Sequence, residues 1–578
     1  MGRLLTLHDP ATARAWYASG VWCGDTLYGL LSRHARERPA AFALGDPGRR
    51  LTWAELLVLV DRVAASLHAA GLVRGDRVSV WLRNRIEAVA VLLACARNGY
   101  VCNPSLHQNY TVEEIAGLLA SIQCKALFAQ VGYGADAGRA DVFASACSLP
   151  GMKRVFALQA RFGTAPSSMA PAAALAAVLP EGTHAFPLES AAAAAPATLP
   201  PPDDDPDKVV YLAFTSGTTG TPKGVMHSDN TLLANARAMV ADWRQDQSMV
   251  LLSLSPFSHH IFTVALNQTL VSGGELAMHD PVAGISALDR IEQSGATYVM
   301  GVPTHAIDLL ATLQLRRQST LGRVKTFYMA GSPIPTEVAS RLLQLGATPQ
   351  NVYGMTENGS HQYTLPTDDV KTITSTCGRA CKGYEIRLWR QDDPDLEVAH
   401  GEVGEIGGRG GVLMLGYFGN QAATEKSFNA GGWFLSGDLG RFDQAGNLQI
   451  VGRAKDLVIR GGHNIHPARI EELAHRHPGV QKAAAFGVAD ERLGERVCLA
   501  IIAGREGAPA ADELLRHLDQ AGLSKFDMPE FFAVVESFPL TASGKILKRE
   551  LVNWVKAGRI RPEPVRWGAG PAAAKERG

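Results

Sequence analysis

Ten consecutive residues constrain this chain more than any other stretch: Thr215-Ser216-Gly217-Thr218-Thr219-Gly220-Thr221-Pro222-Lys223-Gly224, placed directly after the apolar run Val209 to Phe214. The apolar run reads as a buried strand, so the glycine-rich segment is a loop leaving the end of a sheet. Its glycines permit backbone conformations with φ > 0 that turn amide groups inward, and its threonine and serine hydroxyls add further donors. Such a loop can grip phosphate oxygens. The spacing is neither that of a G-x-x-x-x-G-K-[ST] loop nor that of G-x-G-x-x-G after a strand. A bare Gly/Ser/Thr loop is more often an ordinary solvated turn, but the order of these ten residues is far more specific.

Composition decides where the phosphate must be held. The 578 residues carry 56 Lys+Arg against 56 Asp+Glu, so no global field attracts polyanions, which argues against nucleic acid or an anionic membrane as the main partner. Phosphate binding is therefore local. With 46% hydrophobic residues the chain falls among soluble globular proteins, and at about 150 residues per domain its length implies several domains. No charge-free apolar run approaches the ~18 residues of a membrane span, and the N-terminus lacks a secretory core, so a cytoplasmic location is expected. The cysteines are scattered. Cys377 and Cys381 stand four apart in CGRAC without a second pair or a nearby histidine, and reduced, mostly buried thiols are expected rather than a metal site.

Along the chain, apolar periodicity predicts a helix from Leu51 to Ala70, a turn at Gly75-Asp76, a buried strand Arg77 to Leu82 and a helix Ile86 to Arg97, the strand-then-helix order of a parallel sheet. Residues 156–207 turn abruptly to Ala and Pro and read as an irregular connection. A strand at Val209 and a helix from Ser228 resume the α/β pattern. From Val451 onward the elements shorten: a helix over Ile470 to His477, strands over Ala483 to Val488 and Val497 to Ile502, a helix over Ala511 to Ala521 and a strand over Phe531 to Val535. This predicts a compact α+β appendage, with residues 562–578 as a disordered tail.

Four further motifs follow the loop in order: Tyr353-Gly354-Met355-Thr356-Glu357, Gly432-Trp433-Phe434-Leu435-Ser436-Gly437-Asp438, Gly452-Arg453-Ala454-Lys455-Asp456, and Pro539-Leu540-Thr541-Ala542-Ser543-Gly544-Lys545-Ile546. With the loop they resemble the signature motifs of the adenylate-forming superfamily, which includes acyl-CoA synthetases, adenylation domains and firefly-type luciferases. The segments LTWAEL and ARNGYVCNPSL extend the likeness over nearly the whole chain. The resemblance implies an α/β fold: a large N-terminal AMP-binding domain of αβ-layered sub-domains, residues 1–454, and a small mobile α+β C-terminal domain, residues 455–561. It also implies ATP, Mg²⁺ and CoA as the small molecules used.

Roles carry over motif by motif. Thr215, Ser216, Gly217, Thr218, Thr219, Gly220 and Lys223 match the phosphate-binding loop, with Tyr353, Gly354, Asp438 and Arg453 completing the ATP/AMP site. Asp438 offers acceptor-only oxygens to both ribose hydroxyls, and Arg453 is a donor-only partner for the sugar or a phosphate. Thr356 would contact the α-phosphate. Glu357 is a hard oxygen ligand suited to Mg²⁺. Lys545 is the catalytic candidate, because joining a carboxylate to ATP brings two anions together at the α-phosphorus and requires a cation there. Lys455 falls at the family's hinge, about which the small domain rotates between half-reactions. Gly461 and Gly462 resemble the loop that lines the tunnel for the CoA pantetheine arm. They equally read as a hairpin turn.

For the acyl group, His259, Phe262, Val302, Gly331 and Met355 lie in segments matching the family's pocket. The Ser253 to Thr263 stretch contains no carboxylate to hold an ammonium group, which favours a non-amino acid. His259 and His260 are adjacent without a third metal ligand, and one of them reads as a pocket wall. The GGHNIHPARIEELAHRHPGVQKAAAFGVADERLGERVCLAII run resembles cyclohexanecarboxylate-CoA ligase-type sequences, and a medium-chain or aryl acid satisfies the same apolar wall. The expected activity is an ATP-dependent carboxylate-CoA ligase working through an acyl-adenylate. Two alternatives stand beside it: loading of a carrier-protein pantetheine, disfavoured because no carrier domain follows Lys545, and a ligand-binding protein without catalysis. The oligomeric state stays open, a homodimer being one option.

Overall fold

A computed structural model describes residues 10–161, 180–186, 199–215, 222–332, 334–504, 507–540 and 546–567. Two large sheets dominate the N-terminal part. One runs, edge to edge, through Arg379–Ala380, Gly359–Tyr363, Thr348–Met355, Thr326–Met329, Tyr298–Gly301, Val250–Ser253, Glu275–Met278, Phe42–Gly45 and Arg50–Thr52. The other runs through His184–Ala185, Arg154–Leu158, Ala126–Gln130, Arg77–Trp81, Val101–Asn103, Val209–Thr215 and Lys223–Ser228. Their central strands are parallel. Such strands are covered on both faces, which is why Arg77–Trp81 and Ala126–Gln130 are buried throughout.

The core helices form where local signals and apolar period agree. Thr52 and Glu55 close a capping box on the helix Trp53–Ala69, which buries Leu56, Leu59, Val60, Val63 and Leu67 on one stripe. The helix Ile86–Asn98 is buried nearly all round and stops at Gly99 in the left-handed conformation. Ser228 caps the helix Asp229–Asp242. Within that helix Asp229, wholly buried, accepts from Lys208 at 2.6 Å and from the Leu27 amide at 2.7 Å, fixing it to the N-terminal helix Leu27–Glu37.

A charged cluster joins the two sheets. Asp46, just past the strand Phe42–Gly45, accepts from Arg161 at 2.9 Å, and Arg161 also reaches Glu87. Glu87 accepts from Arg49 at 2.8 Å and from Arg85 at 2.9 Å. Burial alone would raise the Glu87 carboxyl, but Arg85, Arg161 and Arg49 outweigh it and hold it at about 2.

A four-stranded antiparallel sheet, Tyr384–Trp389, Gly404–Gly410, Phe434–Phe442 and Leu448–Arg453, follows. A fourth sheet is built from residues from Val458 onward, with the helices Pro467–Ala474, Ala511–Gln520 and Lys548–Lys556 beside it and its own apolar clusters. The fold is thus mixed α/β with a large N-terminal and a small C-terminal domain.

Two expectations need correction. Residues 156–207 are not irregular throughout: Arg154–Leu158 and His184–Ala185 are strands, and the Asp203 amide donates to Arg97 O at 2.7 Å while Arg74 pairs with Asp203 at 2.8 Å. The composition hid this because the ordering contacts come from Arg74 and Arg97, distant in sequence. Nor does the ordered chain end at 561. Glu563–Pro564 adds an edge strand to Phe531–Val534, and Val565 and Trp567 pack on the small-domain core.

Removing one partner from the buried cluster should cost about 3–5 kcal/mol, the usual penalty for an uncompensated buried charge. Glu87→Gln is therefore expected to lower urea stability by about that amount near neutral pH. Because the folded value lies near 2 and the ordinary value is 4.5, this contribution is complete above 4.5 and drains away as pH falls toward 2. The gap between variant and wild type should narrow over that window; a constant gap would contradict the assignment.

Candidate active site

The parallel strands of the larger sheet place the site. Ser253 pairs with Met300, Gly301 with Met329 and Met329 with Asn351, so the chain leaves four neighbouring strands along one edge. Val302, Gly331 and His259 lie in the segments after three of them and Met355 closes the fourth, at the carboxyl ends, where open α/β sheets form their crevices. Val302 is buried, His259 and Met355 are part-exposed, and Gly331 adopts φ 95°. Phe262 is wholly buried with its ring edge-on to Phe257 at 5.3 Å, so it backs the wall instead of forming an open surface.

At the same edge, Asp438 is buried with each oxygen engaged. Tyr353 donates its hydroxyl to Oδ2 at 3.0 Å and Arg453 donates Nε to Oδ1 at 2.8 Å. Tyr353 belongs to the large sheet, Asp438 and Arg453 to adjacent strands of the four-stranded sheet, where they are paired in register. The Asp438 charge raises the Arg453 guanidinium further, and burial followed by Asp438 raises the Tyr353 hydroxyl, so both remain donors. Carboxylate oxygens carry about four lone-pair sites, leaving acceptor capacity for diol hydroxyls.

Glu357 lies beside this group. Burial raises its carboxyl, opposed by the Tyr417 hydroxyl, which donates to Oε1 at 2.9 Å, and by the charges of Lys223 and Arg453. Lys223 sits over the Tyr417 ring at 4.6 Å. Lys455 occupies the short turn Ala454–Asp456 that leads to the small domain, and burial and then Arg453 lower its ammonium. Three cations, Lys223, Arg453 and Lys455, thus stand among the carboxylates of Glu357, Asp438 and Asp456. Thr356 presents its carbonyl to His227 Nε2 at 2.7 Å. His227 stacks on His260 at 5.6 Å, and His260 Nδ1 lies 3.2 Å from the Tyr211 hydroxyl. Burial holds the two imidazoles neutral, at about 4 and about 3.

Residues 31–418 match the AMP-binding enzyme family and residues 469–545 its C-terminal domain. The chain belongs to the AMP-binding enzyme family. It is 28% identical to the medium-chain fatty-acid–CoA ligase of Escherichia coli, over 94% of this chain and 93% of that one. It is 32% identical to the Mycobacterium tuberculosis 3-[(3aS,4S,7aS)-7a-methyl-1,5-dioxo-octahydro-1H-inden-4-yl]propanoyl:CoA ligase, over 91% and 98%. Among solved structures, ATP-bound MatB from Rhodopseudomonas palustris superposes with a TM-score of 0.76 at 28% identity, covering 92% of this chain and 99% of that one.

Within this AMP-binding fold the expected residues stand as follows. Tyr353, Thr356, Glu357, Asp438, Arg453, Lys455 and Lys223 come together. Thr215 pairs with Lys223 across the hairpin whose ends flank residues 216–221, and Ser216, Gly217, Thr218, Thr219 and Gly220 lie outside the described residues. Lys545 also lies outside them; on either side, Leu540 bridges Ile546 and the Leu547 amide donates to Pro539 O at 2.8 Å. Gly354 has a packing reason of its own, since a Cβ there would collide with the Gly359 carbonyl of the paired strand. Gly461 and Gly462 form a two-residue hairpin turn, φ 58° and 85°, exposed and apart from the Asp438 group. The Gly461 amide donates to Leu493 O at 2.8 Å, within the same small domain.

Sequence reading missed Tyr417, His227 and Tyr211. No motif spacing marks a lone tyrosine in LGYFG or a histidine in VMHS; each acquires its place through contacts with residues far along the chain. Tyr417→Phe removes the donor that opposes burial at Glu357, so that carboxyl is expected to titrate at higher pH in the variant. Carbon NMR of labelled glutamate carboxyls would read the shift; an unchanged titration would contradict the pairing.

Proposed function

We propose that this enzyme is an ATP-dependent carboxylic acid–CoA ligase that forms an acyl-adenylate, releases pyrophosphate and transfers the acyl group to CoA. The observation that carries the reading is the Tyr353–Asp438–Arg453 group with buried Glu357 beside it, at the carboxyl end of the strand that closes on the apolar Met355 and near the strand end followed by the apolar Val302. The charged group suits a nucleotide, and the apolar residues suit the tail of an acid. That the E. coli relative is named for medium-chain fatty acids and the mycobacterial one for a bicyclic propanoate supports a medium-chain or cyclic carboxylic acid here, the cyclohexanecarboxylate-like case included.

In this reading Asp438 accepts from the ribose hydroxyls while Tyr353 and Arg453 hold its orientation. The Thr215–Lys223 hairpin and residues 216–220 embrace the β- and γ-phosphates. A carboxylate oxygen of the acid then attacks the α-phosphorus, and the bond to the bridging oxygen of pyrophosphate breaks. Lys545 stabilises the charge gathered there, and Thr356 contacts the α-phosphate. Glu357 offers a hard carboxylate oxygen that would hold Mg²⁺, and the ion would supply neutralising charge to the triphosphate. Next the CoA sulfur attacks the acyl carbon, the carbon–oxygen bond to AMP breaks, and the thiol proton leaves to solvent. Two half-reactions in one cleft require the small domain, taken as residues 455–561, to turn about Lys455 against the body formed by residues 1–454. Gly461 and Gly462 would then come to line the pantetheine path.

The test is turnover of cyclohexanecarboxylate, benzoate, octanoate and several amino acids with ATP and Mg²⁺, following pyrophosphate and CoA thioester. Thioester from a cyclic or medium-chain acid is expected. Pyrophosphate without thioester would assign a carrier-protein acceptor, and silence from every acid would contradict the reading. Lys545→Ala should abolish acid-dependent pyrophosphate release. Asp438→Asn should raise the KM for ATP by about tenfold or more, the loss of about one charge-assisted hydrogen bond. Full activity in either variant would remove the assigned role.

A further inference from the structure

The small domain meets the large one at a charged contact that the motifs do not contain. Lys482, on the strand Val480–Asp490, places Nζ 3.4 Å from Asp308 Oδ1 on the large-domain helix Pro303–Arg316. The lysine side chain is 16% exposed, while Asp308 is 59% exposed. One turn before Asp308, His305 is near enough for the Lys482 charge to add to the effect of burial in lowering its imidazole, as is His475 at the end of the small-domain helix Pro467–Ala474. His305 Nδ1 in turn accepts from the Val302 amide at 3.2 Å, at the segment assigned to the acyl pocket. The first turns of one helix therefore touch the acyl segment on one side and the small domain on the other.

We propose that Lys482 is a positioning residue whose pairing with Asp308 docks the small domain for the pyrophosphate-releasing half-reaction. The inference rests on the acyl-adenylate reading above. Two features argue for a contact that forms and parts within each cycle. In this arrangement the Gly461-Gly462 turn faces solvent, with Ile459 54% exposed and Phe526 71% exposed beside it, so the surface proposed for thiol transfer is not engaged. Asp308 is open enough to regain water at low cost when the pair separates, whereas a fully buried pair would resist release. A half-exposed pair biases two arrangements without locking either, and shifts their ratio by about fivefold at most.

Charge reversal tests this. In single-turnover experiments without CoA, Lys482→Glu and Asp308→Lys should each slow acid-dependent pyrophosphate release by about three- to fivefold. Transfer to CoA from preformed acyl-adenylate should stay at the wild-type rate or rise. The double variant Lys482→Glu/Asp308→Lys restores the pair with reversed polarity and should recover pyrophosphate release. Equal losses in both half-reactions, wild-type rates in both single variants, or a double variant no better than the singles would overturn the docking role while leaving the ligase reading intact. A wild-type enzyme that releases no acid-dependent pyrophosphate would overturn both.

Discussion

The carboxylate of Asp438 holds the site together. Its two oxygens bind a tyrosine from the large parallel sheet and an arginine from the last strand of the four-stranded sheet, immediately before the turn that leads to the small domain. One buried charge thereby fixes the four-stranded sheet against the large one. Such a charge is stable only if fully partnered, and both partners are kept as donors by the charge they neutralise. The same satisfied network leaves acceptor capacity on Asp438.

Around this point, burial sets the electrostatics. Glu357 is raised because it is buried, and Tyr417, Lys223 and Arg453 limit the rise. Lys455 is lowered because it is buried near Arg453. The histidines His227 and His260 remain neutral, so they add hydrogen bonds without adding charge. Cations and carboxylates therefore alternate beside buried neutral rings, in a chain whose formal charges also cancel.

Much of the fold was legible because the core elements obey local rules. The expected strand Arg77 to Leu82 is the strand Arg77–Trp81, and the helix expected over Ile86 to Arg97 ends one residue later, at Asn98, with Gly99 as its cap. Five of the small domain's elements fall where shortened periodicity placed them, within a few residues, whereas the short strands Val458–Arg460 and His463–Ile465 and the helix Lys548–Lys556 carried no such signal. Legibility failed where order is imposed from a distance: residues 199–207 are held by Arg74 and Arg97, and Glu563–Pro564 by an existing sheet edge. In the site, motif order named Tyr353, Glu357, Asp438 and Arg453, which the structure brings together. It could not name Tyr417 or Lys482, whose partners lie 60 and 174 positions away along the chain, nor show that Gly354 is demanded by packing against Gly359.

The central claim is that the acid is activated as a mixed anhydride with AMP. Turnover of an acid labelled with heavy oxygen in its carboxylate, followed by mass spectrometry of the products, reads that bond directly. Attack on the α-phosphorus and later cleavage of the acyl carbon–oxygen bond would carry one labelled oxygen into AMP and none into pyrophosphate. Label in inorganic phosphate accompanied by ADP, or AMP wholly without label, would contradict the account.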